Sequence, residues 1–144
     1  MKLDSGTFRR AIDSFIEAQR LMRETFGVMT ASEVVSEVLQ GRAERNGRCH
    51  NGYEYMVHGV GYTVVFPSGA QAHIDSCGEG RDCFRIYDIQ FFLEDLVGKE
   101  FPLEAVAAAC NEYAKSGRLR KVDDTTFEIV DGELPGGYGC RTCR

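Results

Sequence analysis

The chain has 144 residues, 43% of them hydrophobic and 27% charged, an ordinary balance for one globular domain. A formal net charge of −5 argues against nonspecific binding to nucleic acid and leaves room for a basic partner. No apolar run reaches the roughly 18 residues a membrane span needs, and the opening MKLDSGTFRRAIDSF lacks the apolar core and cleavage site of a secretory signal. The expected compartment is therefore the cytoplasm, with the six cysteines as thiols rather than disulfides.

Residues 7–26 predict a helix. Phe8, Ile12, Phe15, Gln19, Met22 and Phe26 recur at steps of three and four, and all but Gln19 are apolar. Gly27 supplies its stop. Residues 30–40 predict a second helix, opened by the capping box Thr30-x-x-Glu33, buried through Val34, Val35, Val38 and Leu39, and ended at Gly41. Residues 41–52 carry turn formers and three arginines against one glutamate, which predicts a basic loop.

The period then changes to two. Tyr53, Tyr55 and Val57 alternate with Glu54, Met56 and His58, predicting a strand. A hairpin follows around Pro67-Ser68-Gly69. A three-residue turn sets Phe66 opposite Ala70, Val64 opposite Ala72 and Tyr62 opposite Ile74. One face is then apolar, and the other carries Gly61, Thr63, Val65, Gln71, His73 and Asp75. A slip of one residue would mix the faces, so this register is preferred, with Gly69 taking the left-handed position.

Residues 76–86 predict a polar loop ending in a short strand. A helix over 88–97 is capped by Asp88 and stopped at Gly98. Another over 102–116 has Pro102 in its first turn and ends at Gly117. Short strands over 118–122 and 126–130 turn at Asp123-Asp124. The order α-α-β-β-β-α-α-β-β predicts an α+β domain over 1–131, four helices packed on antiparallel strands, followed by a Gly- and Cys-containing tail over 132–144.

Three constellations bear on chemistry. His73 and Asp75 share a strand face about 7 Å apart, and with His58 they are a conceivable metal or acid–base set. Alternating polar residues are also what a half-exposed strand presents, so the expected role is to face solvent or a partner. His58-Gly59-Val60-Gly61 lacks the following helix of a phosphate loop, so its glycines are read as a bulge or a close backbone approach. Cys140-x-x-Cys143 has the spacing of half a zinc site. The second pair is missing, because Cys77 and Cys83 lie six apart, and Cys110 falls on an apolar helical stripe. No catalytic residue, metal site or cofactor is expected.

Charge is distributed unevenly. Residues 86–113 carry Asp88, Glu94, Asp95, Glu100, Glu104 and Glu112 against Lys99 alone. Such a surface suits a basic partner. Lys115, Arg118, Arg120 and Lys121 follow. Two helices and a hairpin are also the order of a winged helix, a DNA-binding alternative. Glu104 and Glu112 on the would-be reading helix oppose it, since both would meet phosphates.

The stretches YEYMVHGVGYTVVFPSGAQAHID (53–75) and FRIYDIQFFLEDL (84–96) resemble an uncharacterised domain family of small bacterial proteins encoded beside polymorphic toxins. The shared pattern is an aromatic strand, a His-Gly-x-Gly step, a Pro-x-Gly turn, a strand with Asp and an aromatic helix. It falls here on Tyr55, His58, Gly59, Gly61, Gly69, Asp75, Tyr87 and Phe92. Residues 76–83 and the cysteine-bearing tail lie outside it.

The resemblance implies an immunity protein, not an enzyme, that binds a cognate toxin and blocks its active site or substrate-binding surface in interbacterial competition. Acidic side chains standing in for phosphate suggest a toxin that acts on nucleotides or nucleic acid. The expected partner-binding residues are Tyr87, Glu94, Asp95 and Glu104, with His73 and Asp75 on the hairpin. The alternatives are a metal-binding protein or enzyme using His58, His73 and Asp75, and the winged-helix-like DNA binder.

Overall fold

The computed structural model describes residues 5–49, 52–78 and 81–130. In chain order the elements are α1 (Ser5–Phe26), α2 (Ala31–Leu39), β1 (Asn46–Arg48), β2 (Glu54–Val57), β3 (Gly61–Val65), β4 (Gln71–Ser76), β5 (Asp82–Arg85), α3 (Ile86–Val97), α4 (Leu103–Lys115), β6 (Leu119–Lys121) and β7 (Thr126–Ile129). The seven strands form one antiparallel sheet in the order β1-β2-β3-β4-β5-β7-β6. The α+β class, the single domain and the four helices agree with the sequence reading. Five strands rather than three separate the two helix pairs.

The α1 stripe is the spine of the core. Phe8, Ile12, Phe15 and Met22 are buried, and so is the polar Gln19. Phe15 packs on Phe84 of β5 and Phe92 of α3, and Phe92 continues to Phe66 beyond β3, which meets Tyr53. Edge-on contacts of this kind add to the area that each ring buries. Gly27 ends α1 in the left-handed region.

In α2 both halves of the capping box form. The Glu33 amide donates to Thr30 Oγ1, and the Thr30 amide donates to Glu33 Oε1. Leu39, expected in the buried face, is instead 69% exposed at the C-terminal end of the helix, while Val38 beside it packs against the core.

The hairpin takes the three-residue register. Tyr62 pairs with Ile74, Thr63 with His73 and Val64 with Ala72, and the Phe66 amide donates to Ala70 O. Gly69 has φ +98°. Tyr62, Val64, Ala72 and Ile74 face the core. The opposite face is not simply solvated, since Thr63 on it is fully buried.

One strand lies where loop was expected, and a second is the short strand expected at the end of 76–86. Asn46–Arg48 pairs with β2 as a sheet edge, and Asp82–Arg85 joins β4 to β7. Among the described residues, β4 meets β5 only at Asp75 and Ser76. The α3 helix also packs against β4. The α3 helix starts at Ile86, two residues before Asp88, and Asp88 caps it by accepting the Arg85 amide at 2.8 Å. Pro102 is the N-cap of α4 rather than its first helical residue.

Cys77 and Cys83 are joined in a disulfide, which corrects the expectation that all cysteines are thiols. The six-residue spacing that counted against a zinc pair suits a bridge across the β4–β5 turn. Cys49 and Cys110 are free, and Cys110 is buried as its stripe predicts. The Cys140/Cys143 pair and the tail over 132–144 lie outside the described residues.

Candidate functional site

The face of the sheet turned away from the main core carries His73 and Asp75, with His58 at the turn beside them. Cross-strand register fixes which of them meet. His73 is opposite Thr63, while Asp75 is opposite Gly61 on one side and Cys83 on the other. A Cβ on Gly61 would stand 2.6 Å from the Asp75 Cα and run into the Ile74 carbonyl. The second glycine of the His-Gly-x-Gly step is thus a close backbone approach, as expected. Gly59 has open space around it. The His58 amide donates to Gly61 O at 2.7 Å, closing a tight turn that brings His58 back over β3.

There His58 Nε2 and His73 Nδ1 each lie 2.7 Å from Thr63 Oγ1. A hydroxyl has one hydrogen to give. It donates to one ring and accepts from the other, so the three side chains form a directional chain running from exposed His58 to half-buried His73. The Thr63 side chain is closed off from solvent and cannot serve as a nucleophile toward a substrate. Its oxygen also occupies the position between the rings. Among the described residues, no three His, Cys, Asp or Glu side chains are grouped to hold a metal ion. In this arrangement His58, His73 and Asp75 are not grouped as three metal ligands.

Asp75 instead pairs with Arg85, Oδ2 to Nη1 at 3.5 Å. Asp88 lies close enough to His73 and Asp75 to feel both charges, and burial raises its carboxyl above the usual range despite its bond from the Arg85 amide. His73, Asp75, Arg85 and Asp88 thus form one polar cluster where β4 meets the start of α3. Arg85 and Thr63 were not singled out beforehand. The hairpin register already placed Thr63 opposite His73, and that was the available signal.

The outward face of α3 begins beside this cluster. Ile86, Ile89, Phe92 and Leu93 are buried. The complementary stripe carries Tyr87 at 43% and Phe91 at 57% exposure, one turn apart, with exposed Asp95 one turn further. Leu96 and Val97 are also exposed, and Glu94 is half-buried. Of the expected residues, Tyr87, Glu94 and Asp95 therefore belong to one helix, and Glu104 is exposed near the start of α4. Among the described residues none of Glu94, Asp95 and Glu104 has an ion-pair partner. Phe91, the most exposed of these aromatics, was missed. Its phase, one position before buried Phe92, would have found it.

The hairpin of the winged-helix alternative is built into the sheet. β7 pairs with β5, and Arg120 is bound to Glu128 across β6 and β7. Among the described residues no helix is long and apolar enough to cross a membrane.

No curated protein and no solved structure matches this chain. A family model does match, over residues 8–130, which takes in α1 from Phe8 onward and every element from α2 to β7. The chain belongs to the family described as Domain of unknown function (DUF6896).

Proposed function

We propose that this chain is a cytoplasmic immunity protein, a non-catalytic inhibitor that binds a cognate bacterial toxin and covers its active site or substrate-binding surface. One observation carries the reading: Tyr87 and Phe91 project from the same face of α3, leaving two aromatic rings open to solvent beside unpaired acids. Exposed rings on a rigid helix are the usual anchors of protein interfaces, and a polar rim around them excludes water. Asp95, Glu94 and Glu104 supply that rim on one side, and His73 and Asp75 lie toward the other. A basic partner surface fits this charge, as a toxin acting on nucleotides or nucleic acid would present. Nothing in this mode of action calls for a cofactor.

The test is co-expression with the toxin encoded beside it. The wild-type chain should protect the cell and co-purify with the toxin domain, and Phe91→Asp should lose both while keeping its circular dichroism spectrum. If no such toxin is encoded there, or if Phe91→Asp protects as well as wild type, the reading fails.

A further inference from the structure

Cys77 follows β4 directly and Cys83 lies in β5, with their Cα atoms 5.9 Å apart across the disulfide. Arg81 holds the same turn without the sulfurs. Its amide donates to Gly78 O at 2.7 Å, its carbonyl accepts the Cys77 amide at 3.0 Å, and its guanidinium donates to Cys77 O at 3.1 Å. Cleaving the bridge would leave these bonds and the two strand pairs to keep the sulfurs near each other, ready to rejoin. Between Arg81 and Cys83 stands Asp82, 3% exposed, which accepts the Ala31 amide at the start of α2 and the Gln19 side chain of α1. The bridge therefore borders a carboxylate that ties both N-terminal helices to the sheet.

We propose that Cys77–Cys83 is a reversible thiol–disulfide site, open to low-molecular-weight thiols, whose reduction loosens the seating of α2 through Asp82. The external thiolate attacks the sulfur of half-buried Cys77, because Cys83 is 2% exposed. The S–S bond breaks, and Cys83 leaves as a thiolate and takes up a proton. A second external thiolate attacks the outer sulfur of the mixed disulfide and releases Cys77, which is protonated in turn. Two electrons and two protons enter the protein, and two external thiols leave as one disulfide. A low-molecular-weight disulfide reverses the sequence. With the bridge gone, β4 and β5 keep their two residue pairs and Asp82 keeps its bonds to Ala31 and Gln19, but the covalent tie one residue away is lost and the strand that carries Asp82 gains freedom.

The full chain is equilibrated in mixtures of reduced and oxidised glutathione, quenched, alkylated and mapped by peptide mass, with Cys49 and Cys110 as references. Cys77 and Cys83 should become reactive together and reversibly while the circular dichroism spectrum is retained. Hydrogen exchange of the Ala31 amide should accelerate about tenfold or more on reduction. Cys77→Ser should show the fast exchange in either buffer. The proposal is overturned if both cysteines alkylate fully at every glutathione ratio, if Ala31 exchanges alike in both states, or if reduction unfolds the chain.

Discussion

Gln19 Nε2 donates a 2.7 Å hydrogen bond to Asp82 Oδ2 across a sequence separation of 63, and both side chains are buried. The one polar residue in the α1 stripe is therefore a partner rather than a flaw in the pattern. Asp82 Oδ1 accepts the Ala31 amide at 2.8 Å, one of the amides that the α2 capping box leaves over. A single carboxylate thus joins two helices to a central strand. Burial raises its carboxyl above the ordinary Asp value, against the pull of both hydrogen bonds.

The sign of the pH effect follows. The folded chain keeps the Asp82 proton to higher pH than the unfolded chain does, so within that window the folded state binds more protons. Stability contributed by Asp82 is greatest on the acid side, falls as pH rises from the ordinary Asp value through the raised one, and is level above it. Asp82→Asn cannot ionise, so the difference in urea midpoint between wild type and Asp82→Asn should show this slope and flatten toward neutrality. Asp82→Ala should cost about 3 kcal/mol, since it strands a buried amide and the Gln19 side chain. A pH-independent difference would show that Asp82 ionises no differently in the two states.

The two glycines of the His-Gly-x-Gly step should behave oppositely. An added Cβ at Gly61 meets the Ile74 carbonyl and the Asp75 backbone, which cannot move without opening the β3–β4 ladder, whereas one at Gly59 meets nothing within 4 Å. Gly61→Ala should destabilise by about 2–3 kcal/mol, and Gly59→Ala should stay within about 0.5 kcal/mol. Chemical denaturation of both variants decides it. Equal losses would mean that the motif serves the turn as a whole rather than the strand approach.

Local rules made much of this fold legible. Spacing placed the α1 stripe, Thr30 and Glu33 announced the α2 capping box, and the alternation around Pro67-Ser68-Gly69 fixed the hairpin register to the residue. What escaped is non-local. Asn46–Arg48 is an edge strand of polar residues and glycine, specified by the partner it pairs with and not by a period of its own. Asp82–Arg85 opens with a carboxylate that makes sense only beside Gln19. At the candidate site, the shared face of His73 and Asp75 followed from register. The pairing of Asp75 with Arg85 depends on where β5 sits in the sheet, and the pattern of 76–86 gives a short strand but not its partners β4 and β7.

Adjacent phenylalanines on α3 separate packing from recognition. Phe92 is 1% exposed and touches Phe15 and Phe66, while Phe91 is 57% exposed. Phe92→Ala should cost about 3–5 kcal/mol in unfolding free energy, and Phe91→Ala should change it by no more than about 0.5 kcal/mol. Thermal and urea denaturation measured side by side test this. A large loss at Phe91 would mean that the ring supports the fold, and the aromatic face could no longer be read as an unoccupied anchor.

Thr63→Val keeps the shape at a fully buried position and removes the hydroxyl that joins the two histidines. Exposed His58 can turn to water, but half-buried His73 loses its Nδ1 partner. The expected loss is about 1 kcal/mol, the net worth of a typical hydrogen bond. Ring nitrogen chemical shifts give a sharper readout. In the wild type the single Thr63 hydrogen forces one ring to donate and the other to accept, so the two facing nitrogens should show opposite protonation at neutral pH. Thr63→Val should remove that opposition, leaving each facing nitrogen free to carry or lack its hydrogen independently of the other. If the wild type shows no such opposition, the chain of hydrogen bonds is not maintained in solution.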